Sequence, residues 1–259
     1  MSATHDSNIL SQFTKLAQAF GAAPQLTDSE SLDVLVRATG ATHADRSLDV
    51  ACGAGVVACH FARTVQVAEG VDITPAMLNQ AKARQAREQL TNLRWTQADV
   101  SNLPFADSAF TVVTSRYAIH HMLSPSRVLG EMKRVCTVGG RIAIADICLP
   151  DALAEAEYFD RIERMNDPSH SHALTESEWF ALFEDAGLPK PAIQTYVLRF
   201  PLVGMLRAAA RSHEEISSVE AEVRRAAASG KLPGIAAVDA GTTWFCYPIA
   251  VFSVERGAA

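Results

Sequence analysis

Short apolar runs alternate with segments of helical periodicity between residues 47 and 146 of the chain. Each apolar run is nearly continuous, which is typical of a strand that is buried on both of its faces. The predicted strands are residues 47–51, 65–71, 93–97, 110–115 and 141–146. Strands that alternate with helices in this way predict a parallel sheet that is covered by helices on both faces.

Capping signals mark the starts of several predicted helices. Thr74 and Ser124 are N-cap residues followed by proline, which is favourable at the first position of a helix. Thr175-x-x-Glu178 and Ser212-x-x-Glu215 are capping-box patterns. The predicted helices are residues 6–20, 27–40, 55–64, 75–90, 125–136, 151–166, 176–187 and two amphipathic pieces within 203–229.

Two β-prone runs lie in the second half of the chain, at residues 193–200 and 242–254. The second run follows the first without a regular crossover pattern, so we predict an antiparallel strand that finishes the sheet. The predicted fold class is α/β, with a doubly wound, Rossmann-like, mostly parallel sheet. No linker rich in proline, glycine and serine divides residues 1–259, which predicts a single domain.

Composition and charge exclude several classes of function. The chain has 259 residues, 48% of them apolar, which is enough for one large buried core. Its formal net charge of −6 disfavours binding to nucleic acid or to an anionic membrane. We predict no membrane span and no signal peptide. Five widely spread cysteines without a C-x-x-C motif favour neither a disulfide framework nor a metal site, and we expect a cytoplasmic protein.

The stretch LDVACGAGVVA at residues 48–58 places a glycine loop between a strand and a helix. Gly53 and Gly55 have no side chains, so a ligand can approach the backbone closely there. Asp72 closes the second strand, where an acid accepts hydrogen bonds from both hydroxyls of a ribose. These features suit NAD and S-adenosylmethionine almost equally.

Three further features favour S-adenosylmethionine. Asp49 precedes the loop inside its strand, and a carboxylate at this place favours a cationic sulfonium over a pyrophosphate. Asp99 and Val100 follow the third strand, where Asp99 could accept from an adenine amino group while Val100 packs on the ring. None of the 4 tyrosines is followed by lysine four positions on, so the Tyr-x-x-x-Lys pair of a short-chain dehydrogenase is missing.

Four stretches of the chain resemble a known family. They are LDVACGAG (48–55), GVDITPAMLNQA (70–81), ADVSNLPFADSAFTVVTSRYAIHHM (98–122) and LGEMKRVCTVGGRIAIAD (129–146). In this order and spacing they resemble the class I S-adenosylmethionine-dependent methyltransferases, specifically the ubiquinone/menaquinone-biosynthesis-like (methyltransferase type 11) group. Ala51 stands where many members have glycine, which keeps a small residue in the loop.

The resemblance implies methyl transfer from S-adenosylmethionine to a small molecule, on a seven-stranded sheet whose last strand is reversed. It also implies a helical lid in residues 1–40, with Phe13 and Phe20 over the cofactor. Residues 41–147 would then form the cofactor-binding core, and residues 148–259 a substrate-side half with helical insertions. The candidate cofactor-binding residues are Asp49, Ala51, Gly53, Gly55, Asp72, Ile73, Met77, Asp99, Val100 and Arg116.

Three histidines are candidates for a general base, because an unperturbed imidazole titrates near neutral pH. His120 and His121 follow the fourth strand, where the acceptor commonly lies opposite the methyl group. His172 belongs to an H-x-H motif with His170, beside Asp167. The spacing of this motif is compatible with a metal site, but no third ligand is evident, and we predict no bound metal. The methyl group would move by in-line displacement, and a base is needed only if the acceptor must lose a proton.

Two other functions remain compatible with the sequence. A nicotinamide-dependent oxidoreductase can use the same kind of sheet, and a methyltransferase-like subunit can serve a complex without catalysis. The sequence identifies neither the acceptor nor the methylated atom. The oligomeric state, monomer or homodimer, is likewise open.

Overall fold

The computed structural model describes residues 3–22, 27, 29–209, 211–230 and 234–258 of the chain. The Phe20 side chain, predicted to cover the cofactor, lies outside the described residues. The helices are α1 (Ala3–Ala22), α2 (Ser29–Thr39), α3 (Val56–Ala62), α4 (Pro75–Arg87), α5 (Pro125–Val135), α6 (Leu153–Asn166), α7 (Glu176–Asp185), α8 (Leu202–Ala208) and α9 (His213–Ala228). The strands are β1 (Arg46–Val50), β2 (Val67–Asp72), β3 (Leu93–Gln97), β4 (Phe110–Arg116), β5 (Cys136–Ile147), β6 (Ala192–Pro201), β7 (Ala236–Asp239) and β8 (Thr242–Glu255).

Eight strands of the described residues form one mostly parallel sheet, which confirms the predicted fold class. Seven of them follow the order β3-β2-β1-β4-β5-β8-β6, and β7 pairs with β8 outside this path. The first five strands in this order are parallel to one another. Parallel strands end at the same edge, so the segments that follow β1, β2, β4 and β5 are brought together there.

Strand β8 is antiparallel, as predicted, but it does not finish the sheet. It pairs with β5 on one side and with β6 on the other, so β6 occupies the edge. The expected position of β8 is therefore wrong, because chain order does not fix the order of strands in a sheet. The short strand β7 was not predicted; it pairs with the first residues of β8.

Two apolar clusters cover the two faces of the sheet. Consecutive residues of β5 alternate between them: Ile142 and Ile144 belong to one cluster, and Ala143 and Ala145 to the other. This alternation follows from the two-residue repeat of a strand, whose successive side chains point to opposite faces. Both clusters consist of buried side chains from strands and helices, which agrees with the doubly wound arrangement.

The predicted helix starts are correct at four places. Thr175 and Ser212 both form complete capping boxes, each side chain accepting from the backbone N–H of the glutamate three residues later. Thr74 and Ser124 occupy the N-cap positions of α4 and α5, each before a proline, but their side chains do not cap the helix. Proline at the first helical position removes one unpaired N–H group and has a φ that suits a helix, so it favours a helix start at these two places.

Gly55 is required by packing between elements. Its φ of +74° lies in the left-handed region, and a Cβ atom built there would lie 2.5 Å from Cη2 of Trp95 and 2.8 Å from Cβ of Ala81. These two residues belong to β3 and α4, which pack against the start of α3. The missing side chain therefore permits the close approach of three elements.

We expect Gly55→Ala to lower the free energy of unfolding by about 3 kcal/mol. A left-handed backbone costs an alanine roughly 1–2 kcal/mol, and overpacking adds about 1–3 kcal/mol. Gly139→Ala is the matched control, because Gly139 also has a φ of +74° but nothing lies within 4 Å of a Cβ there. Urea unfolding followed by circular dichroism measures both. Equal losses in the two variants would show that packing against Trp95 does not constrain this glycine.

Candidate functional site

A cavity lies at the carboxyl edge of the sheet, beyond the ends of β1, β2 and β4. Ligands of open α/β sheets bind at this edge. Its wall consists of Ile9, Phe13, Asp49, Ala51, Cys52, Gly53, Ala54, Val56, Val57, Asp72, Ile73, Thr74, Met77, Asp99, Val100, Arg116, Tyr117, Ala118, His121 and Met122. Every candidate cofactor-binding residue except Gly55 is in this wall, and so is one of the three candidate bases.

Gly55 does not line the cavity, because the position of its missing side chain faces Trp95 and Ala81. Packing against Trp95 and Ala81 therefore accounts for the missing side chain at Gly55, and its predicted cofactor contact stays a prediction. Gly53 does line the cavity, and a Cβ there would have only Met77 Sδ as a neighbour, at 4.0 Å. The two positions in the loop therefore lack a side chain for different physical reasons.

Ala51 adopts a left-handed backbone, with a φ of +56°. A residue with a Cβ atom pays roughly 1–2 kcal/mol for this conformation, whereas glycine adopts it readily. The glycine expected at this position in many relatives is explained by this φ angle. Alanine keeps the loop conformation at a small cost in stability.

Asp72 joins the glycine loop to the end of β2. Its Oδ2 accepts the backbone N–H of Gly53 at 2.8 Å, and its Oδ1 accepts that of Thr74 at 2.8 Å. Burial raises the pKa of this carboxyl, and the two backbone hydrogen bonds oppose the rise. Each carboxylate oxygen has a second lone pair, so Asp72 can still accept from two ligand hydroxyls.

Asp49 lies deeper in the cavity wall, with 3% of its surface exposed. Its Oδ2 accepts the backbone N–H of Ala58 in α3 at 3.1 Å. Burial raises the pKa of this carboxyl to about 7, although the charge of Arg116 and the hydrogen bond from Ala58 favour the ionised form. Asp49 is therefore poised to change its protonation state near neutral pH when a charged group binds beside it.

Asp99 and Val100 form the part of the wall that follows β3. Both carboxylate oxygens of Asp99 accept from Ser101, Oδ1 from its backbone N–H and Oδ2 from its hydroxyl, each at 2.8 Å. These bonds hold the carboxylate in one orientation. Val100 is buried beside it and gives this wall an apolar surface.

Arg116 is the last residue of β4, and it forms a stacked pair with Tyr117, which follows the strand. The Arg116 guanidinium carbon lies 4.7 Å from the centre of the Tyr117 ring. Tyr117 has a φ of +53°, which is a strained conformation for a residue with a bulky side chain. Its hydroxyl is 2.6 Å from that of Tyr196 in β6. Local strain offset by tertiary contacts is common at binding sites, and here both residues line the cavity.

His120 is buried behind the cavity and is not part of its wall. Its Nδ1 lies 2.6 Å from Oδ1 of Asp146, the residue that precedes the last residue of β5. Burial alone would lower the pKa of His120, but the charge and hydrogen bond of Asp146 raise it overall. Because His120 does not line the cavity, the geometry does not favour it as a base.

His121 is the candidate base that lines the cavity. Its Nδ1 lies 3.2 Å from the carbonyl oxygen of Ser169 and 3.2 Å from the Ser169 hydroxyl oxygen. The rings of Phe13, from α1, and His121 form a T-shaped contact with a centroid distance of 5.0 Å. The imidazole is therefore fixed between the N-terminal helix and the loop that follows α6.

His172 is not part of the cavity wall, and the structure does not favour it as a base. Its Nδ1 is 2.8 Å from Asp160 and its Nε2 is 3.1 Å from Glu178. The hydrogen bond with Asp160 is the main cause that raises the pKa of His172 to about 8. Both ring nitrogens therefore donate to carboxylates at neutral pH, which leaves no lone pair for a substrate proton.

Several functional groups escaped sequence reasoning. Asp146 closes the predicted strand at residues 141–146 as Asp72 closes β2, and this position is the signal that could have identified it. Ser169 has no such signal, because its contact with His121 joins segments 48 residues apart. Ile9 forms part of the wall through its place on the inner side of α1, which the helical spacing alone does not show.

Two further properties of the described residues bear on function. No group of three or more histidine, cysteine, aspartate or glutamate side chains among them could hold a metal ion. Their helices also include none that is long and apolar enough to span a lipid bilayer.

The chain matches a known domain family and is similar to named proteins. Residues 48–144 match the methyltransferase domain family. The chain is 31% identical over 186 residues to the uncharacterized methyltransferase YcgJ of Bacillus subtilis (strain 168), covering 72% of this chain and 74% of that protein. It is also 35% identical over 124 residues to a 2-phytyl-1,4-naphtoquinone methyltransferase of Nostoc sp., covering 46% of this chain and 54% of the relative.

Solved structures share the fold. The YcgJ protein of Bacillus subtilis superposes with a TM-score of 0.79 at 24% identity, over 89% of this chain and 100% of that one. A geranyl diphosphate C-methyltransferase of Streptomyces coelicolor A3(2), solved with Mg²⁺, geranyl diphosphate and S-adenosyl-L-homocysteine, has a TM-score of 0.62 at 16% identity. The latter match covers 88% of this chain and 77% of that one. Family match, curated relative and fold agree, and the chain belongs to the class I S-adenosylmethionine-dependent methyltransferases.

Proposed function

We propose that this methyltransferase acts on a small, mainly apolar acceptor, at an atom that must lose a proton during the reaction. One observation carries this proposal: the cavity combines the acidic residues of the glycine-loop side with an apolar wall in which His121 is set. The apolar part of that wall includes Ile9, Phe13 and Met122. Two of the similar proteins are named for a phytyl-naphthoquinone and for geranyl diphosphate, both of which contain hydrocarbon chains.

The cofactor would occupy the side of the cavity formed by the ends of β1, β2 and β3. Asp72 would accept from the ribose hydroxyls, and Asp99 with Val100 would bind the adenine. Asp49 would face the positive charges of the sulfonium and the amino group, and Arg116 the carboxylate. Ala51, Gly53, Ile73 and Met77 would contribute the surrounding surface.

Methyl transfer would proceed by in-line displacement. Held by these residues, S-adenosylmethionine would supply an electrophilic methyl carbon, with S-adenosylhomocysteine as the leaving group when the acceptor bonds to that carbon. His121 would take the proton that the acceptor loses, and the imidazole would then carry the positive charge. Alignment of the acceptor, the carbon and the sulfur supplies much of the rate, up to about 7–11 kcal/mol for ideal orientation.

We infer that the whole chain forms one domain around this site, with α1 as the lid. Ile9 and Phe13 of that helix line the cavity, which supports a lid role for residues 1–40. All five cysteines are free thiols, which is compatible with a reducing cytoplasm. Monomer and homodimer remain the two proposed states, and size-exclusion chromatography with light scattering distinguishes them.

Binding of S-adenosylhomocysteine and of NADH, measured by calorimetry, tests the cofactor assignment. We expect binding of the first and none of the second.

Asp72→Asn should weaken S-adenosylhomocysteine binding tenfold or more, about 1.4 kcal/mol, because a charged acceptor is lost. The 2′-deoxy analogue should bind the wild-type protein weakly and lose little more in the variant. An equal further loss with both ligands would show that Asp72 acts only on the loop. Cofactor binding without methylation of any extract component would favour a non-catalytic subunit.

The affinity for S-adenosylmethionine should rise with pH through the pKa of Asp49. A cationic ligand prefers the ionised carboxylate, so below about pH 7 binding must first release the proton. We expect affinity to rise about tenfold between about pH 6 and pH 8 and then to level off. Asp49→Asn keeps an acceptor for Ala58 but removes the charge, so its affinity should be lower and flat over this range. The same slope in wild type and variant would assign the pH dependence to another group.

His121→Gln should reduce kcat by about 10²–10⁴-fold while affinity for S-adenosylmethionine is retained. His172→Gln is the matched control, because that ring is bound by carboxylates outside the cavity and should leave kcat nearly unchanged. The assay follows labelled methyl groups from S-adenosylmethionine into products of a cell extract by mass spectrometry. The base assignment fails if His121→Gln retains full activity on an acceptor that loses a proton.

A further inference from the structure

The loop between α6 and α7 approaches His121 through a buried aspartate–serine pair. The Ser169 hydroxyl lies 2.6 Å from Oδ1 of Asp167, and the Ser169 backbone N–H donates to the same oxygen at 2.7 Å. Both residues are buried. On its other side, Ser169 presents its carbonyl oxygen and its hydroxyl oxygen to Nδ1 of His121, each at 3.2 Å. The three side chains therefore form a hydrogen-bonded series that ends at the cavity wall.

The direction of each hydrogen bond follows from the chemistry of the groups. A carbonyl oxygen only accepts, so Nδ1 of His121 donates to Ser169. An ionised carboxylate also only accepts, so the Ser169 hydroxyl gives its proton to Asp167. With that proton committed, the hydroxyl oxygen can only accept from His121 as well. In the neutral imidazole the proton is then on Nδ1, and Nε2 has the lone pair.

We propose that Asp167 and Ser169 are positioning residues that hold His121 in the tautomer required of a general base. This proposal deepens the function proposed above and rests on the role of His121 in it. Asp167 does not touch the cavity; it acts by fixing the Ser169 hydroxyl as an acceptor. Without this carboxylate the hydroxyl could donate to Nδ1, and the proton of the imidazole would move to Nε2, which could then no longer accept one from the acceptor.

Independent contacts hold the loop in place, so side chains of the pair can be changed separately. The backbone N–H groups of Ser171 and His172 donate to the carbonyl oxygen of His120 at 3.0 and 3.1 Å. Asp160 accepts from the backbone N–H of Ala173 at 3.0 Å and lies 2.7 Å from Nε2 of His170. None of these contacts involves the side chain of Asp167 or Ser169.

Long-range ¹H–¹⁵N correlation spectra of the ¹⁵N-labelled protein report which ring nitrogen of each histidine is protonated. We expect neutral His121 in the wild-type protein to have its proton on Nδ1, with assignment by comparison with His121→Gln. A wild-type His121 with its proton on Nε2 would overturn the proposal without any variant. This measurement needs no substrate and no turnover.

Two substitutions, alone and combined, separate positioning from a structural role. Asp167→Ala should shift neutral His121 toward the Nε2–H tautomer and lower kcat, because the Ser169 hydroxyl is released to donate. Ser169→Ala should keep the Nδ1–H tautomer, because the carbonyl oxygen remains as the acceptor. The double variant should regain the Nδ1–H tautomer and part of the lost kcat. A merely structural loss at Asp167 would not be restored by a second deletion.

Two further variants serve as comparisons for Asp167→Ala. Ser171 is in the same loop, and its bond to His120 is made by its backbone N–H. Ser171→Ala keeps that bond and should therefore change neither the His121 tautomer nor kcat. Asp167→Asn retains an uncharged acceptor for Ser169 and should give a smaller shift than Asp167→Ala, which provides a test if the alanine variant does not fold. An Asp167→Ala protein with unchanged His121 signals would refute the proposal. S-adenosylhomocysteine affinity, measured in parallel, reports separately on the methyltransferase assignment.

Discussion

Backbone N–H groups that donate to buried carboxylates hold the carboxyl edge of this sheet in one geometry. Asp72 accepts from the backbone N–H groups of Gly53 and Thr74. Asp146 accepts from those of Ala118, Ile119 and Ile147. A buried carboxylate without donors costs several kcal/mol. Each acid is therefore stable only when its loop takes the conformation that supplies the donors, and the cavity wall is a consequence of this requirement.

The same constraint divides the cavity into two chemical halves. On the side of β1 and β2, the acids that order the loop also present negative charge to a cation, and burial keeps the pKa of Asp49 near neutrality. On the side of β4 and β5, Asp146 orders the turn that follows β4 and shares a hydrogen bond with Nδ1 of His120. This leaves His121 on the wall, among apolar side chains. A charged cofactor and an apolar acceptor can thus lie side by side.

Sequence patterns predicted most of the fold because they depend on local chemistry. The strand at residues 93–97 and the capping boxes at Thr175 and Ser212 follow from side-chain alternation and from hydrogen bonds within one helical turn. The place of β8 between β5 and β6 could not be predicted in this way, since several strand orders satisfy the same pattern. The packing that requires glycine at position 55 could not be predicted either, because Trp95 lies 40 positions further along the chain.

The sequence by itself determined the α/β architecture and the three acids at strand ends that favour S-adenosylmethionine. It could do so because the carboxyl ends of parallel strands meet at one edge, whatever the rest of the chain does. Only the tertiary structure decided among the histidines. His120 and His121 are neighbours in a single turn, and the partners that distinguish them, Asp146 and Ser169, come from distant segments. Proton affinity and access to the cavity depend on those partners, and no local pattern records them.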